Sequence, residues 1–285
     1  MAVYRRSYKP YTGALTATWT RWLVLFRYAR RNLFRSKLQT VLFTICFFYP
    51  LLCLAFIYLA HNAGFLAQLG VAQGMISIDN TFFFHFLSVQ GVLAFLLTAF
   101  VGPGLISPDL ANGALPLYFC RPFSRAEYLL GKGSVLGITL SEITWVPGLV
   151  LFAIQAGFAG PRWTWNNLWI AGSLMLGSLI WIAILSLLAM ALSAWVKWRI
   201  VAGALLLGVM FFGAGFGEAI NAVLRTNSGF FMNIGMLMGT VWNALFRVEP
   251  DHAISVGAAW IALLVYCGIC VALLVRKVRA YEVVR

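Results

Sequence analysis

The stretch LWIAGSLMLGSLIWIAILSLLAMALSAW, Leu168 to Trp195, contains no charged side chain in 28 residues. A helix needs about 20 mostly apolar residues to cross the hydrocarbon core of a bilayer, so this run is long enough to cross by itself. Outward from it, five further runs of the same kind lie near Leu38 to His61, Phe84 to Ile106, Tyr128 to Phe152, Ile200 to Gly217 and Ser255 to Val275. The chain of 285 residues is 62% hydrophobic and 10% charged, with a mean hydropathy of +0.87. Soluble domains carry about 25% charged residues, so that class is excluded. The expected fold is all-α: a polytopic membrane protein with six transmembrane helices in one membrane domain over residues 1–285. Residues 1–37 form a basic cytoplasmic segment, 38–275 the six-span region and 276–285 a cytoplasmic tail.

The net charge of +13 does not point to nucleic acid, because the basic residues punctuate apolar runs instead of forming one stripe. Such residues set topology and meet anionic lipid headgroups. With both termini cytoplasmic, 18 of the 21 lysines and arginines fall on the cytoplasmic side, leaving only Arg162, Arg225 and Arg247 outside. Phe230 to Phe246 is nearly long enough to be a seventh span, but a seventh would carry the basic tail outside. Glu218 to His252 is therefore read as outer or re-entrant helices buried against protein, with Gly235 and Gly239 at small-xxx-small spacing. Trp163, Trp165 and Trp169 mark one interface, and Trp195 and Trp198 the other. The basic N-terminus lacks the apolar core and cleavage site of a secretory signal. Four of the five cysteines lie within apolar runs, so no disulfide framework is implied.

From Thr16 to Lys37, Trp19, Trp22, Phe26, Ala29 and Leu33 recur at three- and four-residue spacing, while Arg21, Arg27, Arg30, Arg31 and Arg35 fill other faces. This pattern predicts an amphipathic helix at the membrane surface, either an anchor alone or one that also touches a cytoplasmic partner.

Between the second and third spans the chain reads SPDLANGALPLYFCRPFSRAEYLLGK, Ser107 to Lys132. Ser107 suits an N-cap, with Pro108 at the first helical position and Asp109 near the positive helix end. Gly113 and Pro116 keep the helix short, and Arg121 and Pro122 break the chain. Ser124 and Glu127 then form an S-x-x-E capping box that starts the third span. Leu115, Leu117, Tyr118, Phe119 and Phe123 are apolar where water should solvate the chain, which fits either a partner's groove or packing beneath the membrane domain.

In these residues the chain resembles the type 2 permeases of ATP-binding-cassette transporters. The resemblance rests on RYARRNLFRSK at Arg27 to Lys37, PDLANGALPLYFCRP at Pro108 to Pro122 and SRAEYLLGK at Ser124 to Lys132. It implies a connecting helix carrying Trp22, Phe26, Arg30, Arg31 and Arg35. It also implies a coupling helix that docks on the ATPase, with Pro108, Asp109, Gly113, Ala114, Leu115, Pro116, Tyr118, Arg121, Pro122, Ser124 and Glu127 as coupling residues. The implied function is export of a substrate by alternating access, with two ATPase subunits, a second permease copy or homologue, and surrounding membrane lipids as partners. No cofactor would be bound by this chain, ATP and Mg being held by the ATPase. The setting implied is the bacterial cytoplasmic (inner) membrane. A stand-alone channel, scramblase or assembly factor is the alternative, with the Ser107–Lys132 segment merely structural.

Glu142 lies mid-span beside Thr139, Ser141 and Thr144, with no lysine or arginine expected at its depth. It is read either as protonated and hydrogen-bonded or as lining a hydrated path. Gly213 and Gly217 in the fifth span, with Glu218, complete the candidate translocation path; Gly208 and Gly215 in the same span allow close packing or bending. His61, His85 and His252 sit at outer ends of spans with spacing that matches no ligand motif. Gly131-Lys132-Gly133-Ser134 lacks the first glycine of a Walker A loop, and neither HExxH nor GxSxG is present. The chain is read as non-catalytic.

Overall fold

The computed structural model describes residues 20–62, 77–119, 124–249 and 254–278. All regular structure among them is helical. The elements are α1 (Arg21–Leu33), α2 (Lys37–Ile45), α3 (Phe48–His61), α4 (Asn80–Val101), α5 (Pro103–Ala111), α6 (Ala114–Phe119), α7 (Arg125–Ile143), α8 (Trp145–Ala159), α9 (Pro161–Trp195) and α10 (Arg199–Leu224). A 3-10 turn (Ser228–Met232), α11 (Ile234–Phe246) and α12 (Val256–Lys277) complete the chain.

Among the described residues six helical stretches are long and apolar enough to cross a membrane: Lys37–His61, Asn80–Ala111, Arg125–Ala159, Pro161–Trp195, Arg199–Leu224 and Val256–Lys277. Each matches one of the runs read from the sequence, the last beginning just after Ser255, its N-cap, and most extend further. At about 1.5 Å per residue, the 35-residue α9 is roughly 50 Å long against a core of about 30 Å, so its ends project. α9 is the hub, packing against α4, α5, α7, α8, α10, α11 and α12.

The first three spans are each broken into two helices, and proline explains every break. A proline lacks the N–H that would bond the carbonyl four residues earlier. Pro50 so releases the carbonyl of Cys46, which accepts from Gln90 Nε2 at 2.9 Å. Pro103 begins α5 after Gly102, and a Cβ on Gly102 would stand 2.6 Å from Ala189 Cβ. Only glycine lets this elbow lie against α9. Pro147 follows the third break, at Thr144.

A layer of tryptophan and glycine holds α4, α9 and α11 together. Trp181 Nε1 donates to Gly91 O at 2.9 Å and Trp242 Nε1 to Gly177 O at 3.1 Å, the rings meeting edge to face. Each indole thereby satisfies its polar atom at depth.

The segment after α10 doubles back. Met232 and Gly229 carbonyls lie against Gly213 and Gly217 of α10, and the buried Ile234 sits among Ile184 and Leu188 of α9 and Tyr266, Cys267 and Cys270 of α12. α11 then climbs until Phe246 O accepts from Asn80 Nδ2 at 2.8 Å. With 13 residues, about 20 Å, α11 is too short to cross, so the Phe230–Phe246 stretch is not a seventh span.

The bundle has a basic end, where Arg35, Lys132 and Arg199 line one cavity and Lys277 lies over the Trp195 ring at 5.1 Å. At the other end Arg247 lies 4.4 Å above the Trp169 ring.

Candidate functional site

The segment between the second and third spans is built from the elbow at Gly102 outward. α5 starts at Pro103, so Ser107 is not an N-cap and Pro108 is not its first residue. Both lie inside the helix, which corrects the start expected at Ser107. The reason is tertiary. Pro103 presets the first turn, and Ser193 of α9 serves the orphaned N–H groups that follow. Ser193 Oγ accepts from Ile106 N at 3.2 Å and Ser107 N at 2.9 Å, and donates to Pro103 O at 3.0 Å. Ser107 Oγ returns a bond to Ser193 O at 3.0 Å. All of these groups are buried, so the first turn of α5 is bolted to α9.

Asp109 consequently sits near the end of α5 and not at its positive start. It pairs with Lys132 Nζ of α7 at 2.8 Å, the two side chains being 15% and 10% exposed, and accepts from Tyr128 OH at 2.7 Å. The Tyr118 ring of α6 lies 5.4 Å from that of Tyr128. Burial first, then the Asp109 carboxylate, then Tyr28 push the Tyr118 phenol above its ordinary 10.0. One carboxylate, one ammonium and two phenols thus join α5, α6 and α7.

Gly113 adopts φ +62 between α5 and α6, a conformation open to glycine at little cost. The six-residue α6 then divides its side chains. Leu115 is buried and Tyr118 half-buried, whereas Pro116 faces out and Leu117 is 71% exposed. The apolar cluster therefore divides: Leu115 and Tyr118 pack beneath the bundle, and Leu117 does not. Ala114 is half-buried. The Phe119 side chain, Cys120, Arg121, Pro122 and Phe123 lie outside the description. At Ser124 the capping box forms as read: Ser124 N donates to Glu127 Oε2 at 2.7 Å, and Glu127 N to Ser124 Oγ at 3.2 Å.

Within the amphipathic stretch preceding the first span, Arg21–Leu33 is helical as α1 and lies along α7, while Trp19 lies outside the described residues. A Cβ on Gly131 would meet Leu25 Cδ2 at 3.0 Å and the Trp22 carbonyl at 3.1 Å, so glycine permits the approach. Phe26 is half-buried, while Arg31 and Arg35 are exposed. Arg30 reaches Glu142 Oε1 at 2.5 Å, its guanidinium about 6 Å above the Phe26 and Phe34 rings. No cation was expected at the depth of Glu142. One is present because α1 runs beside α7 and an arginine side chain is long enough to carry its charge inward. Glu142 is neither isolated nor paired only with neutral neighbours.

The other members of the candidate path are not brought to Glu142. Gly213 and Gly217 are occupied by the returning backbone of residues 229–232, and Glu218 is exposed beyond them. His61 Nδ1 lies 3.1 Å from Ile57 O, and its ring stacks on Phe158. Among the described residues no three of His, Cys, Asp and Glu gather as a metal site.

The six membrane-length helices among the described residues, with no strand among those residues, define an integral membrane protein of the α-helical class. No protein-family profile matches the sequence, and no curated protein matches it.

Proposed function

We propose that this chain is the permease subunit of an ATP-binding-cassette transporter of the type 2 class, moving substrate outward by alternating access. Its basic end faces the cytoplasm, in keeping with the positive-inside rule, and both termini are cytoplasmic. In a bacterium the membrane is the inner one. Two ATPase subunits carry the ATP and Mg, and a second permease copy or homologue completes the path.

The observation that carries this reading is α6. It is a six-residue helix at the basic end that points Pro116 and the 71% exposed Leu117 away from the bundle. Its inner face is held by Tyr118 against Tyr128, beside the Asp109–Lys132 pair that joins α5 to α7. An apolar side chain held outward on a rigid mount is the expected form of a docking element. A push on Leu117 would pass through Asp109 and Lys132 into the second and third spans as a rigid-body tilt. Purification in mild detergent from native membranes tests the reading. A Walker-motif ATPase should accompany the wild-type chain in stoichiometric amount and be lost with Leu117→Asp, which leaves Tyr118 and the packed face untouched. A chain active in liposomes with no ATPase, while a control transporter keeps its own, would establish the stand-alone alternative.

A further inference from the structure

Two cavities meet at the basic end, and they differ in character. The first, about 340 Å³, is polar: Asn32, Arg35, Ser36, Gln39, Lys132 and Arg199 contribute to its wall. The carboxylate there, Asp109, is neutralised by Lys132, which among the described residues leaves Arg35 and Arg199 without a carboxylate partner. The second, about 500 Å³, is an apolar groove between α2, α4, α5 and α10, walled by Leu38, Phe100, Pro103, Ile200 and Leu207. Ser36 and Arg199 belong to both, so the polar cavity and the apolar groove adjoin across these two residues.

The shared wall is held in place. Arg199 Nη2 donates to Phe100 O at 3.0 Å, a carbonyl at the proline-broken elbow. Its guanidinium lies against Gly104, where a Cβ would stand 3.3 Å from Nε. In the amide orientation that satisfies both ends, Gln39 accepts from Arg199 at 2.6 Å and donates to Leu33 O at 2.8 Å. Two helices also begin here, α2 after Ser36 and α10 after Trp198, and neither start is capped by a side chain. Uncapped helix starts favour an anion.

We infer that this composite cavity binds one anionic phospholipid, its phosphate beside Arg35 and Arg199 and an acyl chain in the Leu38–Ile200 groove. A free phosphate would leave the groove empty, and a zwitterionic lipid would bring its own ammonium against the two arginines. Only a molecule with a phosphate-bearing anionic head and an apolar tail complements both halves. The site ties α1, α2, α5 and α10 together without requiring an ATPase, so it stands apart from the transport reading.

The test uses the purified full chain in detergent, titrated with phosphatidylglycerol, phosphatidylcholine or inorganic phosphate and followed by native mass spectrometry and thermal unfolding. Phosphatidylglycerol should bind one per chain and raise Tm, and neither control should match it. Losing both cations in the Arg35→Gln, Arg199→Gln double variant should weaken it about thirtyfold. Because Arg199 also holds the elbow, Arg35→Gln alone, at an exposed residue, should still weaken it severalfold. Ala204→Trp, which fills the groove and alters no charge, should abolish retention of the lipid. Equal binding of phosphatidylcholine, equal stabilisation by phosphate, or unchanged affinity in Arg35→Gln and Ala204→Trp would each overturn the inference. So would stabilisation that depends on protein concentration and not on lipid, which would assign the groove to a second copy of the chain.

Discussion

Replacing Arg30 and Glu142 by glutamine, singly and together, tests whether the N-terminal helix is fastened to the third span through charge. The pair is in contact at 2.5 Å, with 36% of the Arg30 side chain and 31% of the Glu142 side chain exposed. Unit charges at 4 Å attract by about 1 kcal/mol in water and about 4 kcal/mol at an effective dielectric of 20. With a third of each group exposed, the coupling should fall near the lower half of that range, about 1–2.5 kcal/mol. Each single variant leaves a partly buried charge without its partner, so Glu142→Gln and Arg30→Gln should each destabilise more than the pair removed together. The assay is a double-mutant cycle by reversible unfolding in mixed detergent micelles. Additivity within about 0.5 kcal/mol would refute the pairing and return Glu142 to the two readings the sequence left open.

Other consequences are equally direct. Gly91→Ala sets a methyl carbon 2.5 Å from Trp242 Cη2 and should cost about 1–3 kcal/mol by overpacking, read as a drop in Tm. Ser193→Ala leaves Ile106 N and Ser107 N without their buried acceptor. It should cost about 1–3 kcal/mol and quicken amide hydrogen exchange in α5 while sparing α12. Tyr118 has its phenol raised above 10.0, so the folded state retains that proton more tightly than the unfolded one. The resulting stability is complete below pH 10 and is lost as pH rises beyond it. Tyr118→Phe should flatten that alkaline loss in a pH series of thermal unfolding.

The spans were legible because crossing a bilayer demands a composition that is visible in any window of the sequence. The Ser124–Glu127 box was legible for a similar reason, since both partners lie within one turn. What escaped were pairings between distant parts of the chain. Arg30 and Glu142 are 112 residues apart, and nothing in either neighbourhood names the other. Ser107 carried every local mark of an N-cap, but Pro103 had already started the helix and Ser193, on another span, supplied the cap. A signal for the elbows was present and unread: Pro50, Pro103 and Pro147 each stand inside an apolar run, where proline must break the ladder of hydrogen bonds. The glycines of α10 suggested close approach; at Gly213 and Gly217 the backbone they admit is the chain's own return between residues 229 and 232, whereas Gly215 faces open space and Gly208 meets only Phe212 of its own helix.

The short α11 bears on how the chain is assembled during synthesis. At 13 residues it is too brief to be retained in a bilayer as an independent span, so it needs a slot waiting for it. Its polar anchors are Asn80, Ser173 and the carbonyl of Gly177, all made before it emerges. α12 follows and packs against its flank. The receiving surface is therefore complete before the plug arrives, and the last helix to be made closes over it. A chain truncated before Ser255 should leave this hairpin open to protease from the side opposite the basic end, whereas the full chain should protect it.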